Sequence, residues 1–403
     1  MISIILPTHN RSSELEKCLN ILTNQNANIV FEIIVVINNC SDNSRLVAEG
    51  FSNIIVVDEP NTAFSKARNT GARAANGDIL LFLDDDAELW ENSLFLASKL
   101  FSEEPKMGIL AGRVEPRYEI EPPEWVVDCQ KSHNALSLYR PNSTNRSGNV
   151  KIVEGAVGPC MAVRTNIYWQ VGGFPPDTIG VESNAGKNNF AKWYIGPGDY
   201  GLCELVKKTE HFIGYHDNFG VDHVIPPYRL TPQFWISRFY GEGIYEAISE
   251  IEFWKLSRKQ IFKNKLLGLF RFYIIMAKLN SRKGKHQNIT VTSQKLEMIK
   301  LLSYLVSLNL FVKHPVLTKT LWNMGAEGVP DKDFQKIRDK IPNNFLKLAE
   351  PDFNEIAATS NPAKFLIKRF NLSLLFKFPK PLKLKIARNI EFMRQKFLYR
   401  KLD

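Results

Sequence analysis

Four short apolar runs that alternate with helical segments constrain the fold of this chain more than any other feature. The runs are residues 2–7, 33–37, 54–57 and 79–83. Helical spacing of leucines follows the first run, and a stretch rich in small residues at 63–75 precedes the last. Strands that are apolar throughout are typical of a parallel sheet covered by helices on both faces. The sequence therefore predicts an α/β domain with a mostly parallel sheet.

Polar side chains follow each predicted strand. They are the clusters Thr8-His9-Asn10, Asn38-Asn39, Asp58-Glu59 and Asp84-Asp85-Asp86. The carboxyl ends of parallel strands meet at one edge of the sheet, where ligands bind in such folds. The chain contains neither GxGxxG nor GxxxxGK[ST], so no dinucleotide fingerprint or P-loop is predicted.

The three consecutive carboxylates after the fourth strand are the strongest chemical signal. Asp84, Asp85 and Asp86 repel one another unless something neutralises them. A divalent cation, Mn²⁺ or Mg²⁺, would do so and would share the oxygens of a bound phosphate. Alternation along a strand predicts that Asp84 and Asp86 face the same side. The alternative is a solvated acidic loop or the first turn of a helix.

Four segments, taken in order, resemble family 2 glycosyltransferases, which have the GT-A fold. They are IILPTHNR at 4–11, VVINNCSD at 35–42, ARNTG at 67–71 and FLDDD at 82–86. The resemblance covers about residues 1–250 and implies a Rossmann-like GT-A catalytic domain, which we place at 1–255. It implies transfer of a sugar from a nucleoside diphosphate to a hydroxyl group with inversion. The favoured donor is a UDP- or dTDP-sugar, and the expected acceptor is a carbohydrate or a lipid-linked saccharide.

The resemblance also assigns roles to individual residues. The expected donor-binding residues are Pro7, Thr8, Asn10, Asn39, Arg68, Asp84, Asp85 and Arg238. Asp84, Asp86 and His223 are expected to hold the cation. Asp199 is the expected general base, since inverting transfer must remove a proton from the acceptor hydroxyl; capping of a helix is the alternative role. The chain departs from the family at Asn39, where a carboxylate is usual, and at Gly198, which replaces an acidic residue.

Charge divides the chain near residue 255. Residues 1–255 carry 22 Lys and Arg against 32 Asp and Glu, whereas residues 256–403 carry 30 against 10. The net charges are therefore −10 and +20. Basic residues mixed with large apolar ones at 255–285 predict a mainly helical domain whose amphipathic surface docks on an anionic membrane. A helical domain with a merely solvated basic face is the alternative. No nucleic-acid recognition motif accompanies the charge, so nucleic acid is not an expected partner.

Cysteine usage and hydropathy bear on location. The five cysteines are scattered and form no CxxC pair, which favours free thiols in a reducing compartment. We find no signal peptide or transmembrane run, and we expect a cytoplasmic protein docked peripherally at the inner face of the membrane. The expected setting is bacterial surface-polysaccharide or glycolipid assembly. Two other functions stay open: a non-catalytic nucleotide-sugar-binding or scaffold protein, and a nucleotidyltransferase.

Overall fold

A ten-stranded mixed sheet forms the centre of the protein. The structure is a computed structural model that describes residues 1–25, 28–180, 192–194, 196–281, 291–327 and 355. The strands of the sheet are β1 (Ile2–Thr8), β2 (Phe31–Asn38), β3 (Ile54–Glu59), β4 (Ile79–Leu83), β5 (Ala87–Leu89), β6 (Met107–Tyr118), β7 (Arg146–Ser147), β8 (Val150–Val153), β9 (Cys160–Arg164) and β12 (Phe212–Ile225). A separate pair is formed by β10 (Thr178–Gly180) and β11 (Lys192–Tyr194).

Eleven α-helices lie within the described residues. They are α1 (Ser12–Thr23), α2 (Ser44–Glu49), α3 (Phe64–Ala74), α4 (Ser93–Glu103), α5 (Glu124–Gln130), α6 (Thr165–Gln170), α7 (Gly198–Lys207), α8 (Pro232–Glu252), α9 (Arg258–Ser281), α10 (Ser293–Lys313) and α11 (Pro315–Glu327). A 3₁₀ turn, Pro227–Leu230, connects β12 to α8. No described helix has the length and apolarity needed to cross a bilayer.

The first half of the sheet has the predicted parallel arrangement. The order β3-β2-β1-β4 places all four predicted strands side by side, and each neighbouring pair is parallel. The second half is mixed, because β9 runs antiparallel between β4 and β6 while β12 is parallel to β6. The predicted fold class is confirmed, and the antiparallel strands come from segments for which the sequence pattern made no strand prediction.

Alternating side chains of the sheet build two separate cores. On β4, Leu81 and Leu83 pack on the side of α1 and α4, whereas Leu80 and Phe82 pack on the side of α3, α6 and α7. All four side chains are buried. Because both faces are covered, the strands are apolar throughout, and polar groups concentrate where the strands end.

The C-terminal helices share a third core with part of the N-terminal half. Trp235 and Tyr240 of α8 pack with residues of α10 and with Val126 of α5. The backbones of α8 and α10 approach so closely at Gly243 that a Cβ there would lie 2.3 Å from the carbonyl oxygen of Lys300. The packing unit therefore begins with α8, before the charge boundary near residue 255. Domain limits of 1–255 and 256–403 stay a prediction, and residues 328–354 and 356–403 lie outside the described part.

Candidate active site

The carboxylate triplet lies at the carboxyl end of β4, where the chain turns toward β5. The strand ends at Leu83, and a turn joins the amide of Ala87 to the carbonyl of Asp84 at 3.1 Å. The alternation expected to place Asp84 and Asp86 on one side therefore does not extend to them. Asp85 and Asp86 are each only 4% exposed. Such burial requires neutralising partners for the charges.

Three arginines provide that neutralisation. Arg11, from the start of α1, donates to Asp85 Oδ1 at 2.7 Å and to Asp86 Oδ2 at 2.9 Å. Arg229, from the 3₁₀ turn, donates to Asp86 Oδ2 at 2.9 Å. Arg68, from α3, donates to Asp84 Oδ1 at 3.0 Å. The repulsion that led us to predict a cation is thus relieved by guanidinium groups.

The three carboxylates differ in proton affinity because their partners differ. Burial raises the pKa of Asp85 to about 7, against the opposing effect of Arg11. Burial also raises the pKa of Asp84, and Arg68 opposes that shift. Burial alone would raise the pKa of Asp86 as well, but Arg229 and Arg11 hold it well below its usual range. Asp86 is consequently the member of the triplet that stays ionised most firmly.

Arg68 connects the triplet to the predicted base. Its side chain is 1% exposed, and its Nη1 donates to Asp199 Oδ1 at 2.5 Å while its Nη2 donates to Asp84. The guanidinium carbon lies 3.9 Å from the centre of the Phe64 ring, which holds the group from one side. Gly158 permits the approach, because a Cβ there would lie 2.3 Å from Arg68 Nη2 and 2.7 Å from Asp199 Oδ2.

Asp199 lies in the first turn of α7 and is partly exposed. Its side chain is 30% exposed, and no side-chain hydrogen bond caps this helix, whose N-cap residue is Pro197. Asp199 therefore does not occupy the N-cap position and is the acidic residue of the first turn of α7. The preceding residue, Gly198, has φ +44°, and a Cβ there would lie 2.7 Å from Cβ of Asp177. Both facts favour glycine, which explains why an acidic residue does not occupy position 198.

Residues predicted to hold the nucleoside gather at the ends of β1 and β2. Pro7 and Thr8 are buried, and the Thr8 hydroxyl donates to Asp85 Oδ2 at 2.8 Å. Asn39 donates from Nδ2 to Thr62 Oγ1 at 3.0 Å. Asn10 and Asn39 have φ of +53° and +52°, in the left-handed region that asparagine tolerates. The structure thus brings Thr8 and Asp85 together and fixes the orientation of the Asn39 amide.

His223 and Arg238 have different surroundings. His223 on β12 is 2% exposed; its Nε2 lies 3.3 Å from Asp86 Oδ1 and 3.0 Å from Arg229 Nη1. Its buried Nδ1 has no hydrogen-bond partner among the described residues. Arg238 on α8 donates to Glu242 at 3.2 Å, and the described contacts of the triplet do not include it. A role for Arg238 at the donor stays a prediction.

Two arginines that contact the triplet, Arg11 and Arg229, had no role in the sequence-based prediction. Arg11 belongs to the first motif but received no role, and Arg229 was passed over in favour of Arg238. A usable signal existed for Arg229, because Pro226 and Pro227 restrict the backbone just before it, after the strand that carries His223. Hydrophobic periodicity in the sequence does not indicate which arginine side chain contacts the carboxyl edge of the sheet.

The side chains at the triplet fit a divalent cation only in part. Within the described residues, no group of three His, Cys, Asp or Glu side chains is already arranged to hold a metal ion. Asp84 Oδ2 accepts no hydrogen bond from described residues, and Asp86 Oδ1 has only His223 beside it. These oxygens are hard donors of the kind that Mn²⁺ and Mg²⁺ prefer. The fit is partial because Arg229 already pairs with the other oxygen of Asp86 and lies beside His223 Nε2.

Comparison with known proteins supports the resemblance. Residues 3–172 match the model of glycosyl transferase family 2. The chain is 42% identical over 88 residues to an uncharacterized glycosyltransferase of Haemophilus influenzae, covering 21% of this chain and 29% of that protein. It is 27% identical over 185 residues to glycosyltransferase AglE of Haloferax volcanii, covering 44% and 57%. The chain thus spans less than two thirds of either relative.

Solved structures are similar at lower identity. Residues 1–349 of S. aureus TarS are 15% identical with a TM-score of 0.42, covering 77% of this chain and 91% of that one. The mannosyltransferase PcManGT from Pyrobaculum calidifontis, solved with GDP-Man and Mn²⁺, is 15% identical with a TM-score of 0.42, covering 90% and 84%. The match of residues 3–172 to the family model supports the predicted resemblance to family 2 glycosyltransferases, and the observed helix-covered mixed sheet confirms the predicted α/β class.

Proposed function

We propose that this protein transfers a sugar from a nucleoside-diphosphate sugar to a hydroxyl group, with inversion. The observation that carries the proposal is the buried guanidinium of Arg68, which bonds both Asp84 and Asp199. One side chain thus joins the carboxylate expected at the donor to the carboxylate expected at the acceptor. Inverting transfer needs these two groups near one anomeric carbon, since the base must lie within hydrogen-bond reach of the attacking hydroxyl.

The donor would lie over the carboxyl ends of β1, β2 and β4. Thr8 and Asn39 would contact the base or ribose, and Arg68 would lie near the diphosphate. Pro7 and Asn10 shape the same loop, and the φ of +53° at Asn10 turns the chain at this edge. We expect a UDP- or dTDP-sugar. The Asn39 side-chain oxygen would accept a hydrogen bond from the base, because its amide nitrogen donates to Thr62.

A divalent cation, Mn²⁺ or Mg²⁺, would be held by Asp84, Asp86 and His223. When bound, it would neutralise charge on the departing diphosphate as a Lewis acid. Of the three, Asp86 brings the most firmly ionised carboxylate, because the adjacent guanidinium groups hold its pKa well below its usual range; burial opposes that shift. The buried His223 ring, 3.3 Å from Asp86, would complete the set of ligands.

The exposed surface of α9 supports a role at a membrane. Among the side chains of this helix that the structure describes, the exposed ones are Arg258, Lys259, Gln260, Phe262, Lys263, Leu267 and Arg271. Phe262 and Leu267 are 61% and 51% exposed, and the segment 258–281 contains no Asp or Glu. Arg258, Lys259, Lys263 and Arg271 are thus exposed on a helix that contains no acidic residue. We infer peripheral docking on an anionic membrane and a lipid-linked saccharide acceptor, as in surface-polysaccharide or glycolipid assembly.

Asp199→Asn tests the proposed activity directly. The change keeps the size of the side chain and removes its proton affinity, so transfer and donor hydrolysis should fall about 10²-fold or more. Binding of the nucleoside diphosphate, measured by calorimetry, should change little. Asp128→Asn, an exposed carboxylate paired with Lys131, is the matched control and should leave the rate unchanged.

The same assay separates the enzyme from its alternatives. Wild-type protein that binds nucleotide-sugars but neither hydrolyses nor transfers them, with and without Mn²⁺, would favour a binding or scaffold protein. A panel of nucleotide-sugars screened by thermal shift identifies which donor to use. Full activity in Asp199→Asn would move the base to another residue.

A further inference from the structure

Arg229 contacts Asp86 and His223, two of the three side chains that would hold the proposed cation. Its Nη2 donates to Asp86 Oδ2 at 2.9 Å, and its Nη1 lies 3.0 Å from His223 Nε2. A guanidinium and a divalent cation repel each other strongly at such separations in a buried site. Both therefore compete for Asp86 and His223, which are 4% and 2% exposed.

We propose that Arg229 is the counterion of Asp86 until a divalent cation displaces it, and that its freed guanidinium then binds the diphosphate. Arg229 would thereby make the cation and the nucleotide bind cooperatively. The inference rests on the proposed function, and it assigns a diphosphate-binding role to a residue for which the sequence predicted none.

The attachment of Arg229 allows its side chain to leave without moving the turn. Its backbone carbonyl accepts a hydrogen bond from Trp235 Nε1 at 3.0 Å, and Trp235 is fully buried in α8. The 3₁₀ turn Pro227–Leu230 is thus anchored through main chain. The side chain of Arg229 is 19% exposed, whereas the side chain of Arg68 is 1% exposed. Of these two arginines, Arg229 is the one that can exchange partners.

Charge balance favours a coupled exchange. Three guanidinium groups, Arg11, Arg68 and Arg229, face the carboxylates of the triplet and of Asp199. A cation bound alone would place a second positive charge beside Arg229. A nucleoside diphosphate bound alone would add negative charge to a site whose four carboxylates already outnumber its three arginines. Bound together, they give Arg229 a new anionic partner while Arg11 still pairs with Asp85.

Binding measurements on Arg229→Gln test the inference without an activity assay. The electron paramagnetic resonance signal of free Mn²⁺ reports metal binding, and calorimetry reports binding of UDP, dTDP or GDP, whichever the wild type binds. In wild-type protein, the nucleotide should tighten Mn²⁺ binding about tenfold or more, within the usual range of coupling between sites. In Arg229→Gln, Mn²⁺ alone should bind about tenfold tighter, and the coupling should fall toward onefold.

Controls make each outcome decisive. Arg117→Gln removes an arginine that pairs with Glu88 at the same edge, and it should reproduce wild-type values. If Arg229→Gln is unfolded by circular dichroism, Arg229→Lys keeps the charge with fewer contacts, and it should bind Mn²⁺ a few-fold tighter than wild type. Unchanged or weaker Mn²⁺ binding in the folded variant, or unchanged coupling, overturns the role of Arg229. Wild-type protein that binds neither Mn²⁺ nor any nucleotide overturns the proposed function itself.

Discussion

Basic residues serve opposite purposes in two regions of this molecule. At the carboxyl edge of the sheet, Arg229 pairs with the buried Asp86, and the buried guanidinium of Arg68 pairs with the partly exposed Asp84 and Asp199. On α9, Lys259 and Lys263 are exposed, and their helix contains no acidic residue. The first group fixes the geometry of a site, and the second is available to an external anion. Net charge alone therefore says little about what an arginine or lysine does here.

Arg68→Met should have the largest effect, because it breaks the inward-facing group at its centre. Removal of the guanidinium leaves Asp84 and Asp199 without their shared partner. Loss of one member of a fully buried ion pair typically costs about 3–5 kcal/mol of unfolding free energy, and we expect a smaller loss here because water reaches part of both carboxylates. Urea unfolding measures the change, and transfer should be lost as well. Arg45→Met removes a more exposed arginine, whose side chain is 41% exposed and pairs with Glu49 and Asp58, and equal destabilisation by both changes would contradict the contrast.

Asp85→Asn should alter how stability depends on pH. In the folded protein, burial raises the pKa of Asp85 from 3.8 to about 7. Between these values the folded state holds a proton that the unfolded state has released, so Asp85 makes the unfolding free energy decrease as pH rises from about 4 to 7. The asparagine variant should lack this decrease. Urea unfolding at a series of pH values checks it, and the same slope in both proteins would show that Asp85 is not the titrating group.

Charge reversal on α9 should have the smallest effect per residue. Each Lys or Arg near an anionic membrane surface contributes about 1 kcal/mol of binding free energy. Lys259→Glu with Lys263→Glu should therefore weaken co-sedimentation with anionic liposomes, while transfer to a water-soluble acceptor is unaffected. Added salt should weaken wild-type binding in the same way, because the Debye length is about 8 Å at physiological ionic strength.

Neutral liposomes and a substitution at the exposed Phe262 test the apolar part of membrane binding. Phe262→Ser removes an exposed aromatic ring and should reduce the salt-resistant part of binding. If wild-type protein binds anionic and neutral liposomes equally and negligibly, the exposed group has no membrane role. The basic residues of α9 and those at the sheet edge would then differ in their burial, and no difference in function would follow.

The parallel half of the fold was predictable because its signal is local. Each of the four apolar runs became a strand, and the stretch 63–75 contains the helix Phe64–Ala74. The antiparallel strand β9 was not predicted, since its place between β4 and β6 depends on pairing across long sequence separations. The charge boundary near residue 255 also differs from the packing unit, because α8 joins α10 through apolar contacts that net charge does not report.

The site was predictable in its carboxylates and less so in their partners. Asp84, Asp85 and Asp86 follow directly from the end of a strand, and the structure brings Asp199 to them through Arg68. The two arginines that pair with Asp86, Arg11 and Arg229, lie 75 and 143 residues away from it in sequence. No spacing rule identifies such partners. Gly158 and Gly198 were likewise unexplained until the structure showed what a Cβ would meet.

The shared guanidinium of Arg68 restricts how this sequence can drift over generations. A change at Asp84 or Asp199 removes one of the two carboxylates that pair with the buried guanidinium of Arg68. A change at Arg68 removes the partner that both carboxylates share. Each single substitution at these positions should lower the stability of the protein, even where a combination of substitutions would restore it. The three positions form one heritable unit, together with the glycine at 158 that makes room for it. Substitutions in this unit should be acquired jointly, while the lysines of α9 can be exchanged one at a time.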